Sequence, residues 1–146
     1  MAPSTSLPTA KEILDRFYDA ERVYMAAPPG TADSSALAAT LAPDVKLIQS
    51  PDLPYGGVFV GVNGFLDWAK QMNELFSGVD VRDPEVLEGE NKAVVLSTLY
   101  ATVRRTGAVL KIPFVQIIKV DREKGVITEM IPVYWDVEGL KKALGV

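Results

Sequence analysis

Chemistry in this chain falls to carboxylates, phenols and amides, because its 146 residues include neither His nor Cys. That absence excludes Ser-His and Cys-His nucleophile pairs, imidazole bases, His-ligated metals, thiolate zinc sites and disulfides. Acid–base work is left to Asp, Glu, Tyr, Lys or Arg with pKa values moved by their surroundings. No cofactor and no metal is expected. Four residues have suitable types in suitable company. Glu129 stands in VITEMIPVYWD beside Met130, Ile131 and Val133. A carboxyl held among such side chains loses solvation and titrates closer to neutrality; otherwise it is a solvated strand-end group paired with Lys or Arg. Asp52 lies in the turn-rich segment SPDLPYGG. A loop at a cavity mouth is a good place for a catalytic acid, although a turn Asp also bonds its own backbone. Gln116 interrupts the apolar run IPFVQIIKV, and a buried amide needs a partner, either a ligand carbonyl or nearby backbone. Tyr18 is a second candidate donor to an oxygen that gains charge, its alternative being ordinary core packing.

The elements that must hold these residues are readable from periodicity. Thr9 or Ser6 caps a first helix over 10–26, with Ile13, Leu14, Phe17, Tyr18 and Tyr24 near one face. Pro28, Pro29 and Gly30 end it. A short Ala-rich helix stops at Pro43, VKLIQS and VFVGV read as strands, and a third helix starts at Asn63. VDVRDPEVLEGE reads as a strand broken at Pro84. KAVVLSTLYATVRR, VLKIPFVQIIKV and 126–135 read as three long strands joined by short turns. Asp136 caps a final helix. The order α-α-β-β-α-β-β-β-β-α implies an α+β fold, a strongly curved antiparallel sheet with helices on its concave side. Strand alternation then assigns the lining. If Trp135 faces the cavity, so do Val133, Ile131 and Glu129; Phe114 and Gln116 share a face, as do Ile48 and Ser50. Tyr55, in the same loop as Asp52, either binds substrate at the rim or simply packs. Tyr100 and Arg104 fall on the face opposite Leu99, toward a partner or solvent.

Bulk properties narrow the class. At 48% apolar and 23% charged residues the composition is that of a globular protein. The net charge is −4 with scattered Lys and Arg, which argues against nucleic acid. No apolar run is long enough for a membrane span, and MAPSTSLPTAKE lacks the features of a secretory leader, so a cytoplasmic location is the default. Residues 1–9 read as a flexible N-terminal arm and 10–146 as one domain. Both faces of VVLSTLYATV and IPFVQIIKV are apolar, which points to a homodimer through the convex sheet face.

The segments APDVKLIQSP, GGVFVGVNGFLDW and VITEMIPVYWD, in that order, resemble the nuclear transport factor 2-like superfamily and, within it, the SnoaL-like polyketide cyclase family. The resemblance covers roughly 10–144 and implies a cone-shaped α+β barrel around a small-molecule pocket. It supplies no complete mechanism. Where ketosteroid isomerases place their base Asp, before a Pro on the first strand, this chain has Ser50 before Pro51. Their oxyanion-hole Asp corresponds to Gln116, and their oxyanion Tyr aligns with Phe17, next to Tyr18; the pocket-wall Trp is matched by Trp135. The Arg-x-Asp pair and last-strand Asp of the epoxide hydrolases correspond to Leu99, Ala101 and Val133. Polyketide cyclases and scytalone dehydratases rely on His and Asp. The expectation is therefore a cofactor-free enzyme of small-molecule biosynthesis, an isomerase, cyclase or dehydratase. It would act on a hydrophobic polycyclic or polyketide-like substrate. Glu129 and Asp52 would be the acid and base, and Gln116 and Tyr18 the donors. A non-catalytic carrier of the same fold, or an interaction module with a filled cone, are the alternatives.

Overall fold

The computed structural model describes residues 6–146. The first five residues of the expected arm lie outside them. Beyond these, the Leu7 and Pro8 carbonyls accept hydrogen bonds from the Arg122 guanidinium.

The first helix, α1 (Ala10–Ala26), begins with a reciprocal cap. The Glu12 N–H donates to Thr9 Oγ1 and the Thr9 N–H donates to the Glu12 carboxylate, an arrangement worth about 1 kcal/mol. A single turn, α2 (Ser35–Ala38), leads into β1 (Leu41–Gln49). Then come β2 (Gly57–Val60), α3 (Gly61–Leu75), β3 (Phe76–Glu88), β4 (Lys92–Val103), β5 (Val109–Asp121), β6 (Val126–Tyr134) and α4 (Val137–Leu144). Asp136 caps α4 as the sequence predicts, its carboxylate accepting the Gly139 N–H at 2.8 Å.

The six strands form one sheet in the order β2-β1-β6-β5-β4-β3. Four pairings are antiparallel; β1 and β6, far apart in sequence, run parallel. Helices α1 and α3 pack on the inner face. There Ile13, Leu14, Phe17, Phe65, Ala69 and Met72 meet inward residues of the sheet such as Leu47, Val95, Leu99 and Ile118. β3 is continuous, but its register shifts between Arg82 and Glu85, where Asp83 takes φ +53° ahead of Pro84. Another shift, between Lys119 and Val120, leaves Thr128 of β6 without a partner.

That bulge bears on which side chains face inward. Ile127, Met130, Pro132 and Tyr134 point into the molecule, while Ile131, Val133 and Trp135 point out. On β1 the inward residues are Val45, Leu47 and Gln49, not Ile48 and Ser50. The expected lining was thus one residue out of step on both strands, and a one-residue slip exchanges the faces of a strand completely. On β4 and β5 the expected alternation holds: Leu99, Phe114, Gln116 and Ile118 are buried. Arg104 departs from its expected place as well. Its guanidinium folds over the end of α3 and donates to the carbonyls of Asn73 and Phe76. Tyr100 does lie on the outer face, beneath the Arg82 guanidinium at 3.8 Å.

Asn73 joins the two long helices. Its buried side-chain amide donates to the carbonyls of Tyr24, Met25 and Ala27 at the end of α1. Removing it orphans those acceptors, so Asn73→Ala is expected to lower the unfolding free energy by about 2 kcal/mol. An unchanged urea midpoint would show that water replaces the amide at no cost.

Candidate functional site

A narrow cavity lies between the inner face of the sheet and the two long helices. Its polar wall is formed by Glu21, Gln49, Trp68, Gln116 and Tyr134, and its apolar wall includes Met72, Leu99, Phe114 and Met130. The free volume is about 20 Å³, room for roughly one water molecule. Two runs of edge-to-face or tilted rings frame it. Tyr18, Phe17, Phe65 and Trp68 form one, with centroids 5.1 to 5.9 Å apart. Phe76, Tyr55, Tyr134 and Phe114 form the other, at 4.9 to 6.4 Å.

Glu21 is the central finding. It is only 6% exposed, although it stands in a helix with a solvated face. Residues 14, 17, 18, 21, 24 and 25 share one side of α1, and all six are buried. Burial pushes the Glu21 carboxyl up to about 8, with Arg22 opposing and Asp80 adding to the shift. At neutral pH the group is therefore mostly protonated and is a hydrogen-bond donor. The neighbouring phenols are neutral too. Burial raises Tyr18, helped by Glu21 and Asp15, and burial also raises Tyr55. Tyr134 is pushed up to about 12 by burial, while the Tyr55 and Gln49 side chains hold it back and Glu21 adds to the rise.

Only part of this polar wall is satisfied internally. The Tyr18 hydroxyl donates to Gln116 Oε1, and Gln116 Nε2 lies 3.5 Å from the Met130 sulfur. Both amide atoms of Gln49, the Tyr55 hydroxyl and Trp68 Nε1 are buried without a hydrogen-bond partner. Gln49 is 2% exposed and Trp68 4%. Burying such groups unpaired costs about 1–3 kcal/mol each, and a ligand or water oxygen in the cavity would recover it. The arrangement presents a protonated carboxyl, an indole N–H, the Gln49 amide and the Tyr134 phenol to a shared space. That set can hold an oxygen and stabilise negative charge developing on it. Among the described residues no cluster of His, Cys, Asp and Glu could hold a metal ion.

The residues singled out in the sequence are divided by the fold. Gln116 and Tyr18 meet inside, Phe114 lines the cavity, and Phe17 and Tyr55 are buried in the two ring runs. Glu129 does not reach the interior; it is paired with Lys119 at 3.1 Å on the outer side. Asp52 is exposed in its loop, with its own N–H donating to Ser50 Oγ. Ile48, Ser50, Ile131 and Val133 do come together, but around a depression on the outer face. Trp135 is 82% exposed. Glu21, Gln49, Trp68 and Tyr134 are absent from the sequence-derived set. The legible signal for Glu21 was an acid placed three residues after Tyr18 and three before Tyr24 on an otherwise apolar stripe.

The raised pKa of Glu21 has a consequence for stability. Between its ordinary value and about 8 the folded chain holds a proton that the unfolded chain has released. This contribution is complete below the unfolded pKa and is lost as pH rises through the folded one. Stability is expected to fall across that window and then level off. Glu21→Gln should abolish that slope, as measured by urea unfolding from pH 5 to 9; a wild-type slope in the variant would show that another group titrates.

Comparison with known proteins agrees with the geometry. No curated protein sequence matches the chain. A solved nuclear transport factor 2-like protein from Burkholderia xenovorans is 20% identical and superposes with a TM-score of 0.73, covering 95% of this chain and 99% of the other. TerC, co-crystallised with polyporic acid, is 19% identical with a TM-score of 0.75, covering 93% and 98%. A Shewanella putrefaciens protein assigned as a SnoaL-like polyketide cyclase is 13% identical with a TM-score of 0.73, covering 98% and 91%. These likenesses establish a shared fold, the nuclear transport factor 2-like cone. The SnoaL-like domain family matches residues 14–130, four-fifths of the sequence, and the chain belongs to that family.

Proposed function

We propose that the chain is a cofactor-free enzyme that takes a hydrophobic, oxygen-bearing small molecule into its cone and acts on it by acid–base catalysis. Glu21 is the proton donor. The observation that carries this reading is the buried Glu21 carboxyl on the cavity wall, pushed up to about 8 by desolvation, beside the unpartnered Gln49 amide and Trp68 Nε1. A ligand carbonyl placed there accepts from Trp68 Nε1 and the Gln49 amide. As its oxygen gains charge, neutral donors in a dry site stabilise it without reorganising, and the Glu21 proton passes to it. Isomerisation, cyclisation, rearrangement and dehydration all use such a step. The SnoaL-like family and the polyporic acid bound to TerC favour an oxygenated polyketide-like or aromatic substrate. Such a ligand needs more room than the cavity now leaves. Met72 and Met130, unbranched and adaptable, are the parts of the wall best able to yield.

Turnover of aromatic and polyketide-like carbonyl compounds, followed by absorbance, tests the assignment. Glu21→Gln is expected to lower kcat by about 10²- to 10⁴-fold, and wild-type activity should decline above pH 8 as the donor ionises. Equal turnover in the variant would remove Glu21 from the role. Binding by the wild type with no turnover would assign a carrier instead.

We also propose a second copy of the chain as the partner of the outer face of β3, β4 and β5, stopping short of the depression between β6 and β1. Leu87, Val94 and Ile117 are direct cross-strand neighbours on β3, β4 and β5, and Leu96 lies beside them. All four are exposed, forming an apolar row flanked by charged positions such as Lys92 and Lys119. Sedimentation should show a dimer that Ile117→Lys converts to monomer; a wild-type monomer would refute the pairing.

A further inference from the structure

We infer that the interior is reached through the sheet, between the diverging ends of β1 and β6, and that the outer depression there is a binding site for small neutral ligands on their way in. This rests on the small-molecule reading of the cavity, but it concerns the route and not the chemistry.

The two strands pair only as far as Leu47 and Met130, whereas β6 continues to Tyr134. Pro132 has no N–H to extend the ladder, and β1 turns away into the Ser50–Pro51 loop. A depression of about 310 Å³ fills the resulting gap on the outer face, with aliphatic walls from Ile48, Ile131 and Val133. Its floor is Gln49, Pro132 and Tyr134, and the same three residues wall the inner cavity. A single layer formed by these three residues therefore separates the outer site from the inner one. Within that layer Gln49 is the movable part. Neither its Nε2 nor its Oε1 has a partner at full hydrogen-bond geometry, and its polar contact with the Tyr134 side chain is a loose one, so turning the side chain breaks no well-formed bond. Its amide also offers a donor and an acceptor to a ligand passing it. The aliphatic walls carry no cation, so an anion would lose hydration there without compensation. The class admitted is small, neutral and apolar with a carbonyl or amide group.

The chain has two tryptophans, which makes the route measurable. Trp68 lines the inner cavity, and Trp135 is exposed at the surface. In a Trp135→Phe background, fluorescence reports Trp68 alone, and acrylamide serves as the neutral probe. Gln49→Ala should raise its Stern–Volmer constant severalfold. Ile48→Phe combined with Val133→Phe, both on the outer face, should lower it severalfold. Iodide should quench weakly throughout. An unchanged acrylamide constant in Gln49→Ala, or in a folded plugged variant, would overturn the route. So would an equal rise in Asn73→Ala, which would assign access to general loosening; urea midpoints on the same samples identify that case. Glu21→Gln keeps the two proposals separate. Loss of turnover there with quenching insensitive to the plug sinks the route alone, and the reverse pattern sinks the chemistry alone.

Discussion

The hydrogen bond from the Tyr18 hydroxyl to the Gln116 amide ties α1 to the middle of the sheet across the interior. The other polar features of the cone are placed relative to that tie. Glu21 stands one turn further along the same helix face, so anchoring Tyr18 against β5 carries the carboxyl into the space beneath β6. Gln116, occupied by Tyr18 on one side and Met130 on the other, is a fixed part of the wall. Gln49 and Trp68 have no such commitments. The interior thus contains a satisfied pair that sets geometry and an unsatisfied pair that is free for a ligand.

Charge is distributed by the same logic. The phenols near the cavity are held neutral by desolvation, and Glu21 is neutral through most of the physiological range. Ionised groups stay outside: Asp80 is gripped by Arg22 and Arg82, and Glu129 by Lys119. These outer pairs are solvated and contribute little to stability. They do keep ionised groups out of a region where an unpaired charge would be costly. Neutral donors in a dry interior are strong where a reaction creates charge, since there is little water to compete.

How much of this was legible in the chain depended on whether the signal was local. Helix α1 and the cap of α4 follow from Thr9, Glu12 and Asp136 acting within a single turn. The alternation of β5 reads cleanly because Lys111 and Lys119 mark its outer side, and this placed Phe114 and Gln116 inside. On β1, Lys46 marks the outer side shared by Ile48 in the same way, but on β6 Glu129 reads equally as a buried acid or an outer charge. Ile131 and Val133 are as apolar as Met130 and Tyr134, so composition does not choose between the faces. The choice is made by the Thr128 bulge and by parallel pairing with a strand some eighty residues earlier, both of them long-range features. Glu21 was missed for a different reason. Its neighbours in sequence include the charged Asp19 and Arg22 while its neighbours on the helix face are apolar or phenolic, and burial on that face dominates its titration.

The kink at Asp83–Pro84 has a consequence for how the molecule meets its own kind. β3 is an outermost strand, with one side of its backbone open to any extended chain. A left-handed residue followed by an imino acid breaks that open side in mid-strand, and the flanking Arg82 and Glu85 add charge. Continuous strand-to-strand accretion, the first step toward fibrils, is interrupted there.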